Sequence, residues 1–470
     1  MKNFIKNVHF VGIGGAGMSG IAEVLLNLGF EVSGSDTTQN ASVIRLQGLG
    51  ARVFIGHQAH QIQGAEVVVV STAVKADNPE VLAARENHIP VISRATMLAE
   101  LMRLKEGIAI AGTHGKTTTT SLIASVLGEA GLDPTFVIGG LLNHAGSHAG
   151  LGSGTYLVAE ADESDGSFLL LQPVISVLTN IDQDHMETYG HDVTLLHQAF
   201  REFIDKLPFY GLLVLCLEDP VLREWVPSLK HRVITYGFSE AAHLRAVNIR
   251  PFGHQMHFDV EWRAGGGGAI ERTLSVCLNL PGVHNVLNAL AAMAVGQVVG
   301  ASYPAMLRAL EMFKGVGRRF QRYEHRVLPQ GGAVHVVDDY GHHPVEIEVT
   351  LRAARGAYPQ QRLVLLFQPH RFTRTRDCFD EFVRVLALAD ELWLLPVYSA
   401  GEASIDGVGS AYLQAEIMSQ YGHIMVHLLS IDEMVAALIP TLRDRDVLLV
   451  MGAGSIGSLV HRILLEVKAQ

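Results

Sequence analysis

A short glycine-rich segment carries the clearest chemical signal in this 470-residue chain. The segment AGTHGKTT follows the apolar run GIAIAG and precedes a helix-like run, which predicts a strand–loop–helix unit. Gly112 and Gly115 would let backbone N–H groups turn toward phosphates, and Lys116 would place a positive charge beside them. The loop is shorter than the usual G-x-x-x-x-G-K pattern, but its context still predicts an ATP site. The predicted ATP-binding loop comprises Gly112, Thr113, His114, Gly115, Lys116, Thr117 and Thr118.

Acidic and imidazole side chains follow the next two apolar runs. Glu160 lies near the end of TYLVAEAD, and Asp182, Asp184 and His185 come after VISVLTN. The carboxyl ends of parallel strands meet at one edge of a sheet, and Mg²⁺ takes hard oxygen ligands. Glu160 and the Thr117 hydroxyl therefore predict a magnesium site, which His185 could also reach. The other acidic residues of EADESD, interpreted as a solvated loop, are Asp162, Glu163 and Asp165.

A second glycine-rich turn lies near the N-terminus. Gly12, Gly14 and Gly17 fit G-x-G-x-x-G between a strand and a helix, and Asp36 ends the following strand. Such glycines let a diphosphate approach the helix N-terminus closely. NAD is the default ligand of the pattern, but any nucleotide diphosphate, including UDP, could use the same backbone donors.

Two clusters in the last third of the chain each begin where an apolar run ends. They are DDYGHHP and FQPHRFTRTRD, and the second contains Arg371, Arg374 and Arg376. Arginine suits bidentate contact with carboxylate or phosphate, so a pocket for an anionic substrate is predicted. A further glycine-rich turn, MGAGSIG, has no acidic partner downstream and is interpreted as a packing feature.

Composition excludes several classes of function. The formal net charge of −11 argues against a general nucleic-acid binder. Cys216, Cys277 and Cys378 form no C-x-x-C pair, and the chain has neither a signal-peptide pattern nor a membrane-length apolar run, so a cytoplasmic protein is predicted. The 23 histidines are scattered without an H-E-x-x-H pattern, and a zinc site is not expected.

Apolar runs alternate with helix-like runs along the chain, which is typical of βαβ units and parallel sheets. Three consecutive α/β domains are predicted, at residues 1–106, 107–322 and 323–470. The glycine run 265–268 is interpreted as the turn of a β-hairpin, and GVGRRFQRYE as the boundary before the last domain.

Eight motifs, in chain order, resemble those of the Mur ligases, the ATP-dependent amino-acid ligases of peptidoglycan precursor synthesis. They are HFVGIGGAGMSG, AGTHGKTTTT, EADESDGSF, TNIDQDHMETY, GVHNVLNALAA, GVGRRFQ, VDDYGHHP and FQPHRFTRTRD. The resemblance covers essentially the whole chain, and the shortened phosphate loop is the family's own form. It implies a Rossmann-like N-terminal domain for a UDP-sugar, a P-loop-type central ATPase domain with a parallel sheet, and a Rossmann-like C-terminal domain. It also implies ATP, two Mg²⁺ ions, UDP-N-acetylmuramic acid and L-alanine.

The resemblance further implies residue roles. The predicted UDP-sugar contacts are Gly14, Gly15, Ala16, Met18 and Asp36. The further ATP contacts are His284, Asn285, Asn288, Arg319 and Asp339. The metal ligands are Thr117, Glu160 and His185, and the amino-acid contacts are Tyr340, His342 and Arg374. The catalytic residues are Lys116, His185, His342, Arg371 and Arg374.

Some alternatives stay open at this point. Many sister ligases carry a carbamylated lysine at the second metal. No lysine here is matched to it, and Lys206 is the nearest candidate; the L-alanine-adding branch is similar in lacking it. A ligase that recycles a murein tripeptide would share most motifs. An NAD(P)-dependent oxidoreductase would leave the motifs of 107–322 without a role, and a regulatory ATPase would turn over ATP without an amide product. The sequence is compatible with a monomer or a homodimer.

Overall fold

The computed structural model describes residues 4–71, 73–142 and 147–469. Three sheets of five, ten and seven strands follow one another along this part of the chain, with helices connecting the strands. The predicted α/β class is therefore confirmed. Thr72, the last residue of the apolar run AEVVVVST, lies outside the described residues.

The first sheet is parallel and has the order β3-β2-β1-β4-β5. Its strands are β1 Asn7–Val11, β2 Glu31–Asp36, β3 Arg52–Ile55, β4 Val67–Val70 and β5 Val91–Ser93. Its helices are α1 Ala16–Asn27, α2 Ala41–Gly48, α3 Pro79–Glu86 and α4 Arg94–Met102. The strand order reverses at the central β1, so the loop after β1 opens at the crevice where ligands bind in such sheets.

The second sheet has the order β15-β14-β13-β12-β11-β10-β6-β9-β7-β8. Its strands are β6 Glu106–Ala111, β7 Thr135–Leu142, β8 Ser147–Gly150, β9 Tyr156–Glu160, β10 Ile175–Leu178, β11 Leu212–Cys216, β12 Arg232–Gly237, β13 Leu244–Phe252, β14 Gln255–Arg263 and β15 Ile270–Leu278. Its helices are α5 Lys116–Glu129, α6 Val193–Asp205, α7 Pro220–Trp225, α8 Val283–Val298 and α9 Tyr303–Glu311. The parallel pairing of β6 with β9 and β10 brings the loops after these strands to one edge. The predicted hairpin turn is confirmed, because the Ala264 N–H donates to the Ala269 carbonyl at 3.0 Å.

The third sheet has the order β20-β19-β18-β21-β17-β16-β22. Its strands are β16 Gln321–Val327, β17 Ala333–Asp339, β18 Leu363–Phe367, β19 Glu391–Leu394, β20 Met425–Leu428, β21 Val447–Met451 and β22 Lys468–Ala469. Its helices are α10 Pro344–Ala357, α11 Phe372–Asp377, α12 Phe379–Leu386, α13 Ser410–Gln420, α14 Ile431–Leu438 and α15 Gly457–Glu466. The pairs from β20 to β17 are parallel, whereas β16 runs antiparallel to β17 and β22.

Apolar side chains cover both faces of the third sheet. Leu365 belongs to one buried cluster with α10, α12 and α13, and its neighbour Leu366 belongs to another with α14 and α15. Successive residues of a strand point to opposite faces, which explains why these strands are continuous apolar runs in the sequence.

The chain divides into two compact units. The first comprises Met1–Ile249, His257–Leu278 and Asn285–Lys314, and the second comprises Arg250–Met256, Asn279–His284 and Gly315–Gln470. The first two sheets therefore lie mainly in one unit. The predicted boundary at residue 322 falls inside β16, and the three domain boundaries stay a prediction. No helix in the described residues has both the length and the apolar character needed to cross a membrane.

Candidate active site

The phosphate-loop candidate connects β6 to α5. Gly112 has φ +128° and Gly115 has φ +83°, conformations that side-chain-bearing residues rarely adopt. A Cβ on Gly112 would collide with Thr179, and one on Gly115 would lie 2.9 Å from Asn288 Oδ1. Helix α5 begins directly after Gly115 without a side-chain cap. Its first backbone N–H groups and the positive end of its dipole are therefore suited to bind an anion.

The segment after β10 holds this loop in place. The Thr113 N–H donates to the Asn180 carbonyl at 3.1 Å, and the His114 N–H donates to Asn180 Oδ1 at 2.8 Å. The Asp182 N–H donates to the Thr113 hydroxyl at 2.9 Å, and His114 Nε2 lies 3.0 Å from Asp182 Oδ2. Asp182 thus shapes the phosphate loop.

Lys116 forms a buried ion pair that the sequence did not reveal. Its Nζ lies 2.7 and 2.9 Å from the two carboxylate oxygens of Glu163, which is 2% exposed. Burial alone would lower the pKa of Lys116, but Glu163, Asp162 and Glu160 outweigh burial and raise it. The interpretation of Glu163 as part of a solvated loop is wrong, because the chain after β9 turns back onto the phosphate loop.

Thr117 and Glu160 lie side by side, as predicted for metal ligands. The Thr117 hydroxyl donates to Glu160 Oε2 at 3.2 Å, and the Gly139 N–H donates to Glu160 Oε1 at 2.6 Å. His185 lies in the loop that contains Asp182, in a left-handed conformation with φ +55°. Its Nε2 is 3.6 Å from Asp184 Oδ2. The Thr117 hydroxyl and the Glu160 carboxylate are hard oxygen donors of the kind that Mg²⁺ takes.

The glycine loop after β1 is anchored on the end of β2. The N–H groups of Gly12 and Ile13 both donate to the Ser35 carbonyl, at 2.8 and 3.0 Å. The Gly14 N–H donates to Asp36 Oδ2 at 2.8 Å, and Asn40 Nδ2 donates to the Gly14 carbonyl at 3.1 Å. Asp36 therefore orders this loop directly, and Asn40 is a second anchor that no motif signalled.

Helix α1 begins directly after Gly15, and no side chain caps its N-terminus. Of Ala16, only the backbone lies within the described part of the chain. The Met18 side chain is 1% exposed and belongs to the core. Any contact of Met18 with a diphosphate would therefore come from its backbone.

Arg94 lies between helix α1 and the acidic segment that follows β9. A Cβ on Gly17 of α1 would lie 2.8 Å from Arg94 Nη1, and Arg94 Nη2 lies 3.6 Å from Asp162 Oδ2. Burial would raise the pKa of Asp162, but Lys116, the hydrogen bonds of Ser164 and Arg94 lower it. One arginine, which no local pattern identified, therefore links the first turns of α1 to the carboxylates beside Lys116.

Asn285 and Asn288 are predicted to lie near adenine, and Asn288 contacts the start of α5. The Thr119 hydroxyl donates to Asn288 Oδ1 at 3.1 Å, and Asn288 Nδ2 donates to Asn285 Oδ1 at 3.0 Å. This places both amides next to the phosphate loop.

His284, another predicted ATP contact, lines an apolar cleft with Pro281, Val283 and Ala353. Burial and the nearby Arg319 lower its pKa to about 4. The imidazole is therefore neutral at neutral pH and suited to an uncharged group such as a base.

The loop after β17 is built around Asp339. Its carboxylate accepts the Phe320 N–H at 2.7 Å and the Gly341 N–H at 2.8 Å. Burial raises its pKa to about 6, although Arg319 and the two backbone donors oppose this rise. The guanidinium of Arg319 lies 5.4 Å from the centre of the Tyr340 ring, which makes a cation–π contact.

A row of aromatic and basic side chains follows from this loop. The His342 ring lies 5.5 Å from the Tyr340 and His370 rings, and Arg374 Nη1 lies 3.5 Å from His370 Nδ1. Glu346 Oε2 accepts the His342 N–H at 2.9 Å and lies 3.4 Å from its Nδ1. The structure thus brings together the predicted residues Tyr340, His342 and Arg374. His370 and Glu346, which were not predicted site residues, belong to the same group.

The predicted arginine cluster is smaller than the sequence suggested. Arg371 has φ +72° at the start of α11, and its Nη1 lies 3.8 Å from Glu402 Oε1. Arg374 is 7% exposed, whereas Arg376 is exposed and its Nε donates to Asp377 at 2.7 Å. The Arg376 guanidinium thus pairs with its own neighbour, whereas Arg374 is buried beside His370.

Models of three Mur ligase domains match the chain in order. They are the "Mur ligase family, catalytic domain" at residues 7–106, the "Mur ligase middle domain" at 110–296 and the "Mur ligase, glutamate ligase domain" at 318–454. The UDP-N-acetylmuramate--L-alanine ligase of Cupriavidus necator is 59% identical over 465 residues, which cover 99% of this chain and 97% of that protein. The protein of the same name from Aromatoleum aromaticum is 58% identical over 469 residues, with 98% of both chains covered.

The chain belongs to the Mur ligase family. Its fold is similar to that of UDP-N-acetylmuramate-alanine ligase from Thermotoga maritima, with a TM-score of 0.82 and 30% identity over 97% of this chain and 98% of that one. A murein peptide ligase from Psychrobacter arcticus shares the fold, with a TM-score of 0.72, 24% identity, and coverage of 99% and 100%. Membership in this family confirms the resemblance and makes the oxidoreductase alternative wrong.

Proposed function

We propose that this Mur ligase joins L-alanine to the lactyl carboxylate of UDP-N-acetylmuramic acid, with ATP as the energy source, in the cytoplasm. The products would be UDP-N-acetylmuramoyl-L-alanine, ADP and phosphate, a step of peptidoglycan precursor synthesis. One observation carries the proposal. Lys116, Thr117 and Glu160 converge at the N-terminus of α5, in a chain that is 58–59% identical to curated ligases of that name.

The phosphate loop supports ATP as the first substrate. Gly112 and Gly115 keep the backbone open for phosphate oxygens, and Lys116 remains charged beside them because its pKa is raised. Asn285 and Asn288 would contact the adenine end of the nucleotide, and the bond between Asn288 and Thr119 of α5 supports this role. His284, Arg319 and Asp339 stay predicted ATP contacts of the second unit.

The donors beside this loop suit two magnesium ions. Thr117 and Glu160 would hold one ion, because their oxygens are hard donors that lie 3.2 Å apart. His185 would contribute to the second ion. When bound, Mg²⁺ would supply positive charge against the repulsion between an anionic carboxylate and the phosphates.

A carboxylate must be activated before it can acylate an amine near neutral pH. One lactyl oxygen would attack the γ-phosphorus, and the bond from that phosphorus to the ADP oxygen would break. The product is an acyl phosphate, whose leaving group is good. The charged Lys116 would stabilise the negative charge that spreads over the transferred group in the transition state.

The amide bond would form in the second step. The uncharged amine of L-alanine would attack the acyl carbon, inorganic phosphate would leave, and the nitrogen would lose a proton. His342 is the proposed acceptor of that proton, since its ring lies next to Tyr340 and His370 and is oriented by Glu346. Arg371 and Arg374 would hold the anionic groups that approach this ring.

The products of a complete reaction test the proposal. ADP and phosphate should appear only when ATP, UDP-N-acetylmuramic acid and L-alanine are all present, and mass spectrometry should find the alanyl amide. Release of AMP would contradict the acyl-phosphate route. A panel with glycine, L-serine and a murein tripeptide tests the amine, and preferential use of the tripeptide would make this a recycling ligase.

A further inference from the structure

A buried polar network lies beneath the glycine loop of the first sheet. Glu80 in α3 and His9 in β1 are fully buried, and His57 follows β3. The Ser35 hydroxyl donates to Glu80 Oε2 at 2.5 Å and lies 2.8 Å from His57 Nδ1. His9 Nε2 lies 3.6 Å from Glu80 Oε1. None of these four side chains takes part in the chemistry proposed above.

The network keeps a charge inside the domain. Burial would raise the pKa of Glu80, but the nearby His9, the hydrogen bond from Ser35 and the proximity of His57 lower it below its ordinary value. An ionised carboxylate is costly to bury unless its partners compensate for lost water. The carboxylate is also near the N-terminus of α3, where the helix dipole favours a negative charge. Glu80 therefore holds its hydrogen-bond partners in a fixed position.

Ser35 connects this charge to the glycine loop. Its hydroxyl is bound to Glu80, while its carbonyl accepts the N–H groups of Gly12 and Ile13. The next residue, Asp36, accepts the Gly14 N–H. One strand end thus contacts the buried carboxylate on one side and three consecutive loop residues on the other. A shift of Ser35 would therefore move the backbone of Gly12, Ile13 and Gly14, and with it the loop that leads into the N-terminus of α1.

We infer that Glu80, acting through Ser35, is a positioning residue for the loop that binds the diphosphate of the sugar nucleotide. Donors that are held in the bound geometry before the ligand arrives lose less entropy on binding, which increases affinity. The inference rests on the proposed function for the identity of the nucleotide. Its effect belongs to nucleotide binding, whereas ATP binding and the chemical steps use other residues.

Two variants and one control test this role. Ser35→Ala removes the connecting hydroxyl, and Glu80→Gln keeps the size of the side chain but removes its charge. Each should weaken the binding of UDP, measured by calorimetry without ATP or L-alanine, by about tenfold, the loss typical of a hydrogen bond to a charged group. The KM for UDP-N-acetylmuramic acid should rise equally, while kcat and the KM for ATP stay within about twofold. Glu86→Gln, on the exposed side of α3, should bind UDP like the wild type.

The double variant separates positioning from a general loss of packing. If Ser35 and Glu80 act through one hydrogen bond, the double variant should lose little more UDP affinity than the weaker-binding single variant. Wild-type UDP affinity in a folded Ser35→Ala protein would overturn the inference, even if Glu80→Gln fails to fold. Loss of kcat without a change in UDP affinity would overturn it too. Because UDP binding needs no turnover, a chain that fails to ligate L-alanine would refute the proposed function and leave this test intact.

Discussion

Lys116 is the residue on which the proposed phosphoryl transfer depends most. Replacing it with alanine removes the positive charge that is proposed to stabilise the transferred group, so kcat should fall by at least about a hundredfold. Initial rates of ADP release at saturating substrates measure the loss, and circular dichroism checks the fold. Lys230→Ala, which removes an exposed lysine, is the matched control. Unchanged turnover in a folded Lys116→Ala protein would refute the phosphate role of this loop.

Glu163 makes a second prediction, because it is the partner of Lys116 before any nucleotide arrives. Glu163→Gln leaves a buried ammonium without its counter-charge, which should lower the free energy of unfolding by about 3 kcal/mol. ADP should then raise the unfolding midpoint of this variant more than that of the wild type, since its phosphates supply the missing negative charge. Thermal unfolding with and without ADP measures both effects.

The control for this experiment is Glu187→Gln, which changes an exposed carboxylate of the same unit. It should unfold like the wild type in both conditions. If the Glu163 variant were as stable as the wild type without ADP, the buried ion pair would have no net effect on folding.

The site residues that the sequence could predict are those with a local signature. Lys116 and Thr117 follow a glycine loop, and Glu160 ends an apolar run, so strand–loop–helix geometry was enough to propose them. Glu163, Arg94 and Asn40 were missed because their partners come from distant parts of the chain. Their side chains look like ordinary solvated polar groups until the fold brings Lys116, Asp162 and Gly14 next to them.

The β6–loop–α5 unit makes a prediction at the level of an element. Gly112→Ala forces an alanine into φ +128° and against Thr179, so the loop must distort. A left-handed conformation alone costs an alanine roughly 1–2 kcal/mol. ADP binding, measured by calorimetry, should be lost together with at least that much stability.

The same helix provides the matched control. Gly128 lies exposed near the end of α5, and a Cβ there would meet nothing within 4 Å. Gly128→Ala should bind ADP normally and gain about 0.5–1 kcal/mol, because glycine is unfavourable inside helices. If Gly112→Ala kept wild-type affinity for ADP, the glycine would not be required for phosphate binding.

Elements were easier to predict from the sequence than their arrangement. The apolar runs of β18, β19 and β21 were predicted because every residue of these strands is buried. The strand β16 was interpreted as a domain boundary, since its exposed and charged residues resemble a linker. In the structure, β16 lies between β17 and the two-residue strand β22, and it runs antiparallel to both. Strand order was not predicted, because it depends on pairing between segments far apart in the chain.

For the whole molecule, the two compact units limit how stability can be measured. Unfolding of a chain with two units need not be a single transition, so comparisons between variants are safer than absolute values. Substitutions at the sites of the first unit should therefore be compared with one another, and substitutions in the group of Tyr340, His342 and Arg374 likewise. A variant confined to one unit, compared with a control in the same unit, therefore gives the clearest information.

Asp339 makes such a prediction for the second unit. Its pKa is about 6 in the folded chain, against an ordinary value near 4 after unfolding. Between these pH values the folded state binds more protons, so this group lowers stability as the pH rises from about 4 to 6, by at most about 1.4 kcal/mol per pH unit. Asp339→Asn cannot ionise, so its free energy of unfolding should lack this fall between pH 4 and 6. Denaturant titrations of both proteins at several pH values measure the difference.

Asp406→Asn, which removes an exposed carboxylate of the same unit, is the control for lost charge. Parallel slopes for the wild type and Asp339→Asn would mean that the carboxylate is ionised in the fold at pH 5, and that Arg319 and the two backbone donors offset its burial completely.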